Sequence, residues 1–346
     1  MKIIAEAGVN HNGSLEIAKK MVDAAAEAGA DYIKFQTFHA HSLVTAGCET
    51  AGYQKENVGT DNQKEMLTKL ELSYDEFREL KAYCDSKGIG FLSTAFDEES
   101  IDFIASLKPD YMKVPSGEIT NLPFLRKMAS TKIPMIISTG MSTPEEIARA
   151  LKPFLKEGYG ANDIILLHCT TQYPTPMEDV NLLAMKTVCG NFGHPAGYSD
   201  HTLGIEIPIA AATMGAEIVE KHFTLDRNME GPDHKASLEP HELAEMVKSI
   251  RNILKALGNG VKEVKESESR NIIAARRSIV AKKPIAKDQI ITEEDICCKR
   301  PATGLSPMLW DKVVGSKAIK DFKIDEPIEI EENGWKFGMP SLKFKI

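Results

Sequence analysis

Residues 2–37 read KIIAEAGVNHNGSLEIAKKMVDAAAEAGADYIKFQT, two short β-rich runs on either side of a segment with apolar residues at helical spacing. That segment, LEIAKKMVDAAAEAG at 15–29, ends in glycine, a residue that commonly terminates helices. The order strand, helix, strand predicts a β/α unit with two parallel strands. Similar units continue to about residue 257, so this part of the chain is expected to form one parallel sheet.

Eight β-rich runs can be counted in the first three quarters of the chain. They cover residues 2–7, 32–37, 90–95, 111–116, 135–139, 164–170, 196–199 and 218–223. Eight β/α units close a TIM barrel, so we predict an α/β fold with a (β/α)8 barrel. A doubly wound open sheet is the alternative, but GVNHNG after the first strand does not match the glycine-rich dinucleotide turn.

The remainder of the chain predicts a second, small domain. We expect the barrel over residues 1–257, a polar, charged linker over 258–275 and a β-rich domain over 276–346 around the loop RPATGLSP. A domain of about 70 residues buries little core alone, so it is expected to dock on a barrel or on a partner chain. Within the barrel, residues 38–72 are long for a βα connection and are expected to shape one wall of a site.

Composition excludes several classes of protein. The 346 residues contain 42 Lys and Arg against 50 Asp and Glu, a net charge of −8 that argues against binding to nucleic acid or anionic membranes. The start, MKIIAEAGVNHNG, does not resemble a signal peptide, and no run of about 18 apolar residues occurs, so a cytoplasmic location is expected. The six cysteines show no C-x-x-C spacing and are expected to be reduced thiols.

Polar residues occur at almost every predicted strand end, where the active sites of TIM barrels lie. They are Glu6, Asn10 and His11; Lys34 and Gln36; Ser93 and Thr94; Lys113, Ser116 and Glu118; Ser138 and Thr139; His168, Thr170 and Thr171; Ser199, Asp200 and His201; and Lys221, His222 and Thr224.

Two features of this set point to chemistry. Lys34 and Lys113 lie inside apolar strands, where a surface lysine would not be placed, and together with nearby hydroxyls they predict a site for a phosphate or carboxylate. His201 and His222 end two neighbouring strands, and two neutral imidazoles suit a divalent transition metal. A structural role for the two histidines remains open. For Glu6 and Glu118 the residues leave open whether they are ion-pair partners of the lysines or acid–base groups.

The longer motifs of the chain are IIAEAGVNHNGSL, YIKFQTF, FLSTAFD, MKVPSGEITNLP, IISTGM, LHCTTQYPTP, GYSDHTLGI, EKHFTLDRNMEGPDHKASLEP and CKRPATGLSP. These motifs resemble the bacterial sialic acid synthase family, which includes the closely related legionaminic acid synthases. The resemblance implies a TIM barrel followed by a small antifreeze-protein-like (SAF) domain. It also implies condensation of phosphoenolpyruvate with open-chain N-acetylmannosamine and water to give N-acetylneuraminate and phosphate. The alternative sugar is 2,4-diacetamido-2,4,6-trideoxymannose, which would give N,N′-diacetyllegionaminate.

Individual roles also follow from the resemblance. It places phosphoenolpyruvate on Lys34, Thr94, Lys113, Ser116, Thr171, Ser199 and His201, a divalent metal on His201 and His222, and the sugar on Glu6, Tyr173, Asp233 and Arg300. The metal is expected to be Mn²⁺, with Mg²⁺ and Co²⁺ as alternatives, and to polarise the sugar aldehyde. Glu118 would orient or deprotonate the water. Arg300 would come from the partner subunit of a domain-swapped homodimer.

Two positions depart from the family pattern. Thr171 stands where some members have asparagine, and FLSTAFD has alanine where proline is more usual, next to an unchanged Thr94. Two other functions remain as competitors. One is an aldolase that forms a Schiff base with pyruvate through Lys34 or Lys113 and needs no metal. The other is a carbohydrate- or partner-binding protein without catalysis.

Overall fold

The chain divides into two compact units, Met1–Asn259 and Gly260–Ile346. The computed structural model describes residues 1–45, 48, 50, 57, 62–332 and 335–337. Each unit contains its own cluster of buried apolar side chains. The boundary between the units falls inside the segment 258–275, expected as a linker, and the second part of that segment is a helix over Glu266–Ala275.

The first unit is a closed barrel of eight parallel strands in sequence order, which confirms the predicted fold class. The strands are β1 (Lys2–Gly8), β2 (Tyr32–Thr37), β3 (Gly90–Ala95), β4 (Met112–Val114), β5 (Met135–Ser138), β6 (Ile164–His168), β7 (Ala196–Asp200) and β8 (Ile218–His222). Strand β8 pairs with β1, where Glu6 lies opposite His222. This closure brings the carboxyl ends of all eight strands to one rim.

Helices connect the strands. They are α1 (Leu15–Glu27), α2 (Ala40–Leu43), α3 (Gln63–Leu70), α4 (Tyr74–Lys87), α5 (Glu98–Ser106), α6 (Leu122–Ser130), α7 (Pro144–Lys156), α8 (Ala184–Phe192), α9 (Glu206–Thr213) and α10 (Pro240–Leu257). The signals for their ends are local. Helix α4 begins with a capping box in which the Ser73 hydroxyl accepts from the Glu76 N–H and the Glu76 carboxylate accepts from the Ser73 N–H. It ends at Gly88, whose φ of +71° favours glycine.

Strand β4 is shorter than predicted. The expected strand covered residues 111–116, but the structure ends it at Val114 and turns residues Ser116–Glu118 into a short 3-10 helix. Pro115 stands between them, and because proline has no N–H it cannot extend the hydrogen-bonded ladder. The turn changes the direction of the chain before Glu118, which therefore does not continue the alternation of the strand.

The inside of the barrel is layered. Its lower layer is apolar and contains Ile4, Tyr32, Leu92, Ile136, Ile165, Leu167 and Ile218. Because side chains on a strand alternate, the inward residues two positions further on lie one layer higher, about 7 Å along each strand. On β1, β2 and β8 these are Glu6, Lys34 and Glu220, all buried. The outward residues pack against the helices in the main core, which contains Phe35, Tyr198 and Val219.

The segment between β2 and α4 is described only in part. Of the predicted wall, residues 38–45, 48, 50, 57 and 62–72 are described, and they include helices α2 and α3. Residues 46–47, 49, 51–56 and 58–61 lie outside the described residues. Two backbone hydrogen bonds hold the described part. The Ala40 N–H donates to Glu71 Oε1 at 2.5 Å and joins the two ends of the segment, and the His39 N–H donates to Asp97 Oδ2, just after β3, at 3.0 Å.

The second unit contains helices α11 (Glu266–Ala275) and α12 (Trp310–Val313) and short antiparallel pairs. Strands β9 (Ser278–Ala281) and β10 (Ile296–Lys299) form one pair, and β11 (Ile330–Glu332) and β12 (Trp335–Phe337) form the other. All six cysteines lie in the described part of the chain, and none of them forms a disulfide, as predicted. Among the described residues, no helix has the length and apolar character needed to cross a membrane.

Candidate active site

A cavity of about 500 Å³ opens at the carboxyl ends of the barrel strands. It brings together most of the residues predicted from the sequence: Glu6, Lys34, Thr94, Lys113, Ser116, Thr171, Tyr173, Ser199, His201, His222 and Asp233. The strands set their positions, because each inward residue near a strand end faces the same enclosed space.

The floor of the cavity is a cluster of two lysines and two carboxylates. Lys34 Nζ lies 2.6 Å from Glu6 Oε2 and 3.7 Å from Glu220 Oε1, and it donates to Thr94 Oγ1 at 3.0 Å. Lys113 Nζ lies 3.1 Å from Glu220 Oε1. All four charged side chains are at most 5% exposed, so Glu220 is shared between two buried ammonium groups.

Burial and pairing shift the four pKa values in different directions. Burial raises the pKa of Glu6 to about 7, although Lys34 opposes the shift. Burial also pushes the pKa of Glu220 upward, but Lys113 and Lys34 outweigh it and lower the pKa to about 2. Burial lowers the pKa of Lys113 despite the attraction of Glu220. For Lys34 burial acts in the same direction, but Glu220 and Glu6 outweigh it, and its pKa is raised. At neutral pH Glu220 and Lys34 are therefore charged, whereas Glu6 can hold a proton.

Hydroxyl groups surround one side of the lysine pair. Ser116 Oγ accepts from the Gly140 N–H at 3.0 Å and lies 3.3 Å from Cys169 Sγ. A Cβ at Gly140 would come within 2.7 Å of the Thr171 methyl group and 2.8 Å of Ser116 Oγ, so only glycine lets these side chains converge. Ser138 Oγ is buried, lines the same cavity and has no hydrogen-bond partner among the described residues. An anion bound at the lysines would find further donors here.

Two histidines lie at the ends of β7 and β8. Their ring centres are 5.4 Å apart, and the His201 Nδ1–H donates to the Thr170 carbonyl at 2.5 Å, which leaves Nε2 with its lone pair. His222 Nδ1 is buried without a hydrogen-bond partner among the described residues. Burial lowers the pKa of His201 to about 4 and that of His222 well below its usual value, so both rings are neutral at pH 7.

This pair fits the divalent metal that the sequence predicts. Neutral imidazole is the form that binds a metal, and a hydrogen bond from the other ring nitrogen to a carbonyl, as in His201, is the usual means of orienting such a ligand. The orphaned Nδ1 of His222 is a buried lone pair or N–H that the protein itself leaves unused. Tyr173 packs beside both rings, with ring centres 4.1 Å from His201 and 5.5 Å from His222.

Two predicted site residues are not brought to the cavity by the described structure of the barrel. Glu118 is half-buried in the 3-10 turn, its Oε2 accepts from Asn121 Nδ2 at 2.6 Å, and it does not line the cavity. Arg300 belongs to the second unit, where its exposed side chain donates through Nε to the Ala275 carbonyl at 2.8 Å. Asp233 does line the cavity, and burial raises its pKa to about 6.

Two of the residues predicted at the strand ends face away from the interior of the barrel. Lys221 lies on the outer face of the barrel, where its Nζ is 2.5 Å from Asp200 Oδ2 and both side chains are fully buried. Ser93 also faces outward, at 2.7 Å from the Thr37 hydroxyl. The residue that the sequence prediction missed on the inner face is Glu220. The two-residue alternation of β8 was the available signal, since it places Glu220 on the same face as His222.

Comparisons with known proteins agree with this geometry. The model of the NeuB family matches residues 21–262, and that of the SAF domain matches residues 276–331. The chain is 48% identical to the N,N′-diacetyllegionaminic acid synthase of Campylobacter jejuni, over 94% of this chain and 98% of that one. It is also 48% identical to the N,N′-diacetyllegionaminic acid synthase of Legionella pneumophila, over 91% of this chain and 89% of that one.

A solved structure shows the same architecture. It is the N-acetylneuraminic acid (sialic acid) synthetase of Leptospira borgpetersenii in complex with citrate, which is 37% identical with a TM-score of 0.69. The match covers 78% of this chain and 89% of that one.

Proposed function

Because this chain belongs to the NeuB family, we propose that it condenses phosphoenolpyruvate with open-chain 2,4-diacetamido-2,4,6-trideoxymannose and water. The products are N,N′-diacetyllegionaminate and inorganic phosphate. The sequence motifs alone favoured N-acetylmannosamine as the sugar and kept the diacetamido sugar as the alternative. The two relatives at 48% identity support the alternative more strongly.

The observation that carries the proposal is the buried pair of lysines at the floor of the cavity. Phosphoenolpyruvate has a phosphate and a carboxylate, and Lys34 and Lys113 give each anionic group a cation that water cannot screen. Thr94, Ser116 and Ser138 line the same cavity and add hydroxyl donors. An arriving anion also favours the protonated form of Lys113, whose pKa burial has lowered.

The reaction forms one carbon–carbon bond and breaks one carbon–oxygen bond. The methylene carbon of phosphoenolpyruvate attacks the aldehyde carbon, and the carbon that bears the phosphate becomes electron-poor. Water adds to that carbon. Phosphate then leaves with the electrons of the carbon–oxygen bond and takes up the proton of the new hydroxyl group, so that a ketone forms. We assign to Glu220 the stabilisation of this positive charge and the acceptance of the proton from water. Glu6, with a pKa of about 7, holds the proton that the aldehyde oxygen needs when it becomes a hydroxyl group. The water-orienting role of Glu118 stays a prediction.

His201 and His222 would hold the metal, which we propose to be Mn²⁺, with Mg²⁺ and Co²⁺ as alternatives. When bound, the ion would supply electrophilic activation of the sugar aldehyde. Glu6 and Asp233 line the same cavity, and we assign to them the binding of hydroxyl groups of the sugar. Tyr173 packs against both histidine rings and restricts their orientation.

The proposal is tested by phosphate release from phosphoenolpyruvate with Mn²⁺ and one of two sugars or no sugar. We expect release with the diacetamido sugar, little with N-acetylmannosamine and none without sugar. Release with N-acetylmannosamine alone would restore the first sequence-based expectation. If the folded, metal-loaded protein releases no phosphate in any condition, the synthase proposal fails.

Removal of the metal is expected to stop turnover. Treatment with EDTA should lower the rate at least 100-fold, because the remaining residues cannot replace a divalent Lewis acid, and Mn²⁺ should restore it. Binding is measured separately, by the loss of the free Mn²⁺ signal in electron paramagnetic resonance. His222→Ala should abolish that binding.

His241→Ala is the matched control for the metal. His241 is exposed and belongs to the group Glu239, His241 and Glu242, the one cluster of three potential ligands found among the described residues. Since Glu242 is already paired with Arg227, we expect His241→Ala to bind Mn²⁺ as the unchanged protein does. If His241→Ala loses Mn²⁺ binding and His222→Ala keeps it, the metal site is at Glu239, His241 and Glu242 instead.

The lowered pKa of Lys113 also suits the second candidate, a Schiff-base aldolase, because a neutral amine is the nucleophile in such enzymes. That function requires pyruvate and no metal. Borohydride with pyruvate would then add mass to Lys113 or Lys34. We expect no such adduct, and its appearance would favour the aldolase.

We further propose that Arg300 completes the barrel of a partner subunit in a domain-swapped homodimer. The proposal rests on the family resemblance and on the exposure of the Arg300 side chain. Co-expression of Glu220→Gln and Arg300→Ala subunits tests it. In a mixed dimer, the barrel with Glu220 would receive Arg300 from its partner, so about a quarter of full activity should return. If Arg300 serves its own barrel, no activity returns.

A further inference from the structure

The cavity has a second, chemically different side. Six apolar residues line this side, and we call them the apolar wall. They are Phe38, Leu43, Met66, Leu67, Leu70 and Phe96. Most of these residues belong to a small apolar cluster that is separate from the barrel core. The cavity thus has a charged floor and an apolar side.

The apolar wall is held in a fixed position. Helix α3 carries Met66, Leu67 and Leu70, and its start is capped by Asn62, whose side chain accepts from the Glu65 N–H. The bonds from Ala40 to Glu71 and from His39 to Asp97 hold the neighbouring backbone. Four of the six wall residues are at most 8% exposed, whereas Leu43 and Phe96 are half-buried and keep apolar surface open to the cavity.

The order of the strands places the apolar wall beside the reacting centre. Phe38 and Phe96 follow β2 and β3, and His222 ends β8, with only β1 between β8 and β2 in the closed barrel. An open-chain sugar with its aldehyde at the histidines can therefore extend along the rim and place its far end at the apolar wall.

The two candidate sugars differ at that far end. Both have an aldehyde and an acetamido group on the second carbon. The diacetamido sugar has a methyl group at carbon 6, whereas N-acetylmannosamine has a hydroxymethyl group there. Carbon side chains and a thioether offer a hydroxyl group no strong hydrogen-bond partner, so burying the hydroxymethyl group against them is unfavourable.

We propose that the apolar wall receives the methyl group at carbon 6 of the sugar and selects 6-deoxy substrates. This inference rests on the proposed function. It assigns the preference at carbon 6 to the apolar wall, independently of the group at carbon 4. Because an apolar pocket rejects an added hydroxyl only modestly, the preference is roughly 10- to 100-fold in kcat/KM.

Four sugars separate the two positions. They combine an acetamido or hydroxyl group at carbon 4 with a methyl or hydroxymethyl group at carbon 6. We expect the unchanged protein to prefer the methyl group by roughly 10- to 100-fold whichever group is at carbon 4. If the methyl and hydroxymethyl sugars give equal kcat/KM at fixed carbon 4, the inference is wrong. The proposed function is judged separately. It stands if the diacetamido sugars react well, whatever the preference at carbon 6, and it fails only if no diacetamido sugar reacts.

Variants of the apolar wall test the assignment. Leu43→Gln should reduce the preference for methyl to within about threefold, since its amide can bond a hydroxyl group. Phe96→Tyr adds one hydroxyl group with little change of shape and should reduce it in the same direction. Leu107→Gln is the control, a half-buried leucine at the end of α5 that does not line the cavity, and should keep the full preference.

The apolar wall could instead be only the packing core of its segment. In that case Leu43→Gln and Phe96→Tyr would lower kcat/KM for all four sugars by the same factor, and the proposal would be overturned. Thermal melting identifies a variant that fails to fold. Phe96→Tyr, the smaller change at a half-buried position, then decides the question.

Discussion

Glu220→Gln is expected to lower kcat by roughly 10²- to 10⁴-fold, the range typical of losing a group that moves a proton in the transition state. The change keeps the size of the side chain but removes the carboxylate charge that lies within ion-pair distance of both Lys34 and Lys113. The amide cannot accept a proton from water, and it cannot stabilise positive charge on the carbon that water attacks. Initial rates of phosphate release at saturating substrates measure the effect.

Two comparisons make this result specific. Glu217→Gln changes an exposed glutamate just before the same strand and should leave the rate unchanged. Glu118→Gln tests the carboxylate that the sequence motifs favoured for the water. A larger loss in Glu118→Gln than in Glu220→Gln would return that role to Glu118. A Glu220→Gln protein within tenfold of normal kcat would contradict the role assigned to Glu220.

Lys221→Met is expected to destabilise the barrel by about 3–5 kcal/mol, the usual cost of removing one partner of a buried ion pair. Lys221 and Asp200 are both fully buried on the outer face of the barrel, with Nζ at 2.5 Å from Oδ2. The variant would leave the Asp200 carboxylate without its cation, with hydrogen bonds from the Thr202 N–H and hydroxyl. Urea unfolding followed by circular dichroism would show a lower midpoint.

The double variant Lys221→Met with Asp200→Leu separates the loss of the pair from the loss of packing. Because it removes both buried charges, it should recover much of the stability that the single variant loses. Lys152→Met, at an exposed position of α7, should have little effect on the midpoint. Equal midpoints for the single and double variants would show that Asp200 without Lys221 is not the source of the loss.

The sequence predicted the floor of the site where residue type alone was informative. Lys34 and Lys113 were identifiable because lysine is unusual inside an apolar parallel strand, and both lie in the cavity. Strand β8, IVEKH, was harder to interpret. Both faces of a parallel barrel strand are buried, so the usual alternation of apolar and polar residues does not show which face is inside. Glu220 was therefore missed, and Lys221, which faces outward, was placed at the rim.

Other differences come from interactions that a local pattern does not contain. Pro115 ends β4 early, and the Asn121 side chain binds Glu118 away from the lysines. The apolar wall depends on the packing of α3 against residues that follow β2 and β3, far from it along the chain. The length of the segment 38–72 predicted one wall of a site, but the sequence of the segment did not show that this wall is apolar.

The layered interior of the barrel has a kinetic consequence. The apolar layer around Ile4, Leu92 and Ile136 closes the lower end, so the lysine floor is reached through the rim. With the proposed function, phosphoenolpyruvate would pass the place assigned to the sugar, and a sugar that arrived first would obstruct its path. We therefore expect a compulsory order of addition, with phosphoenolpyruvate before sugar, and release of the nonulosonate before phosphate.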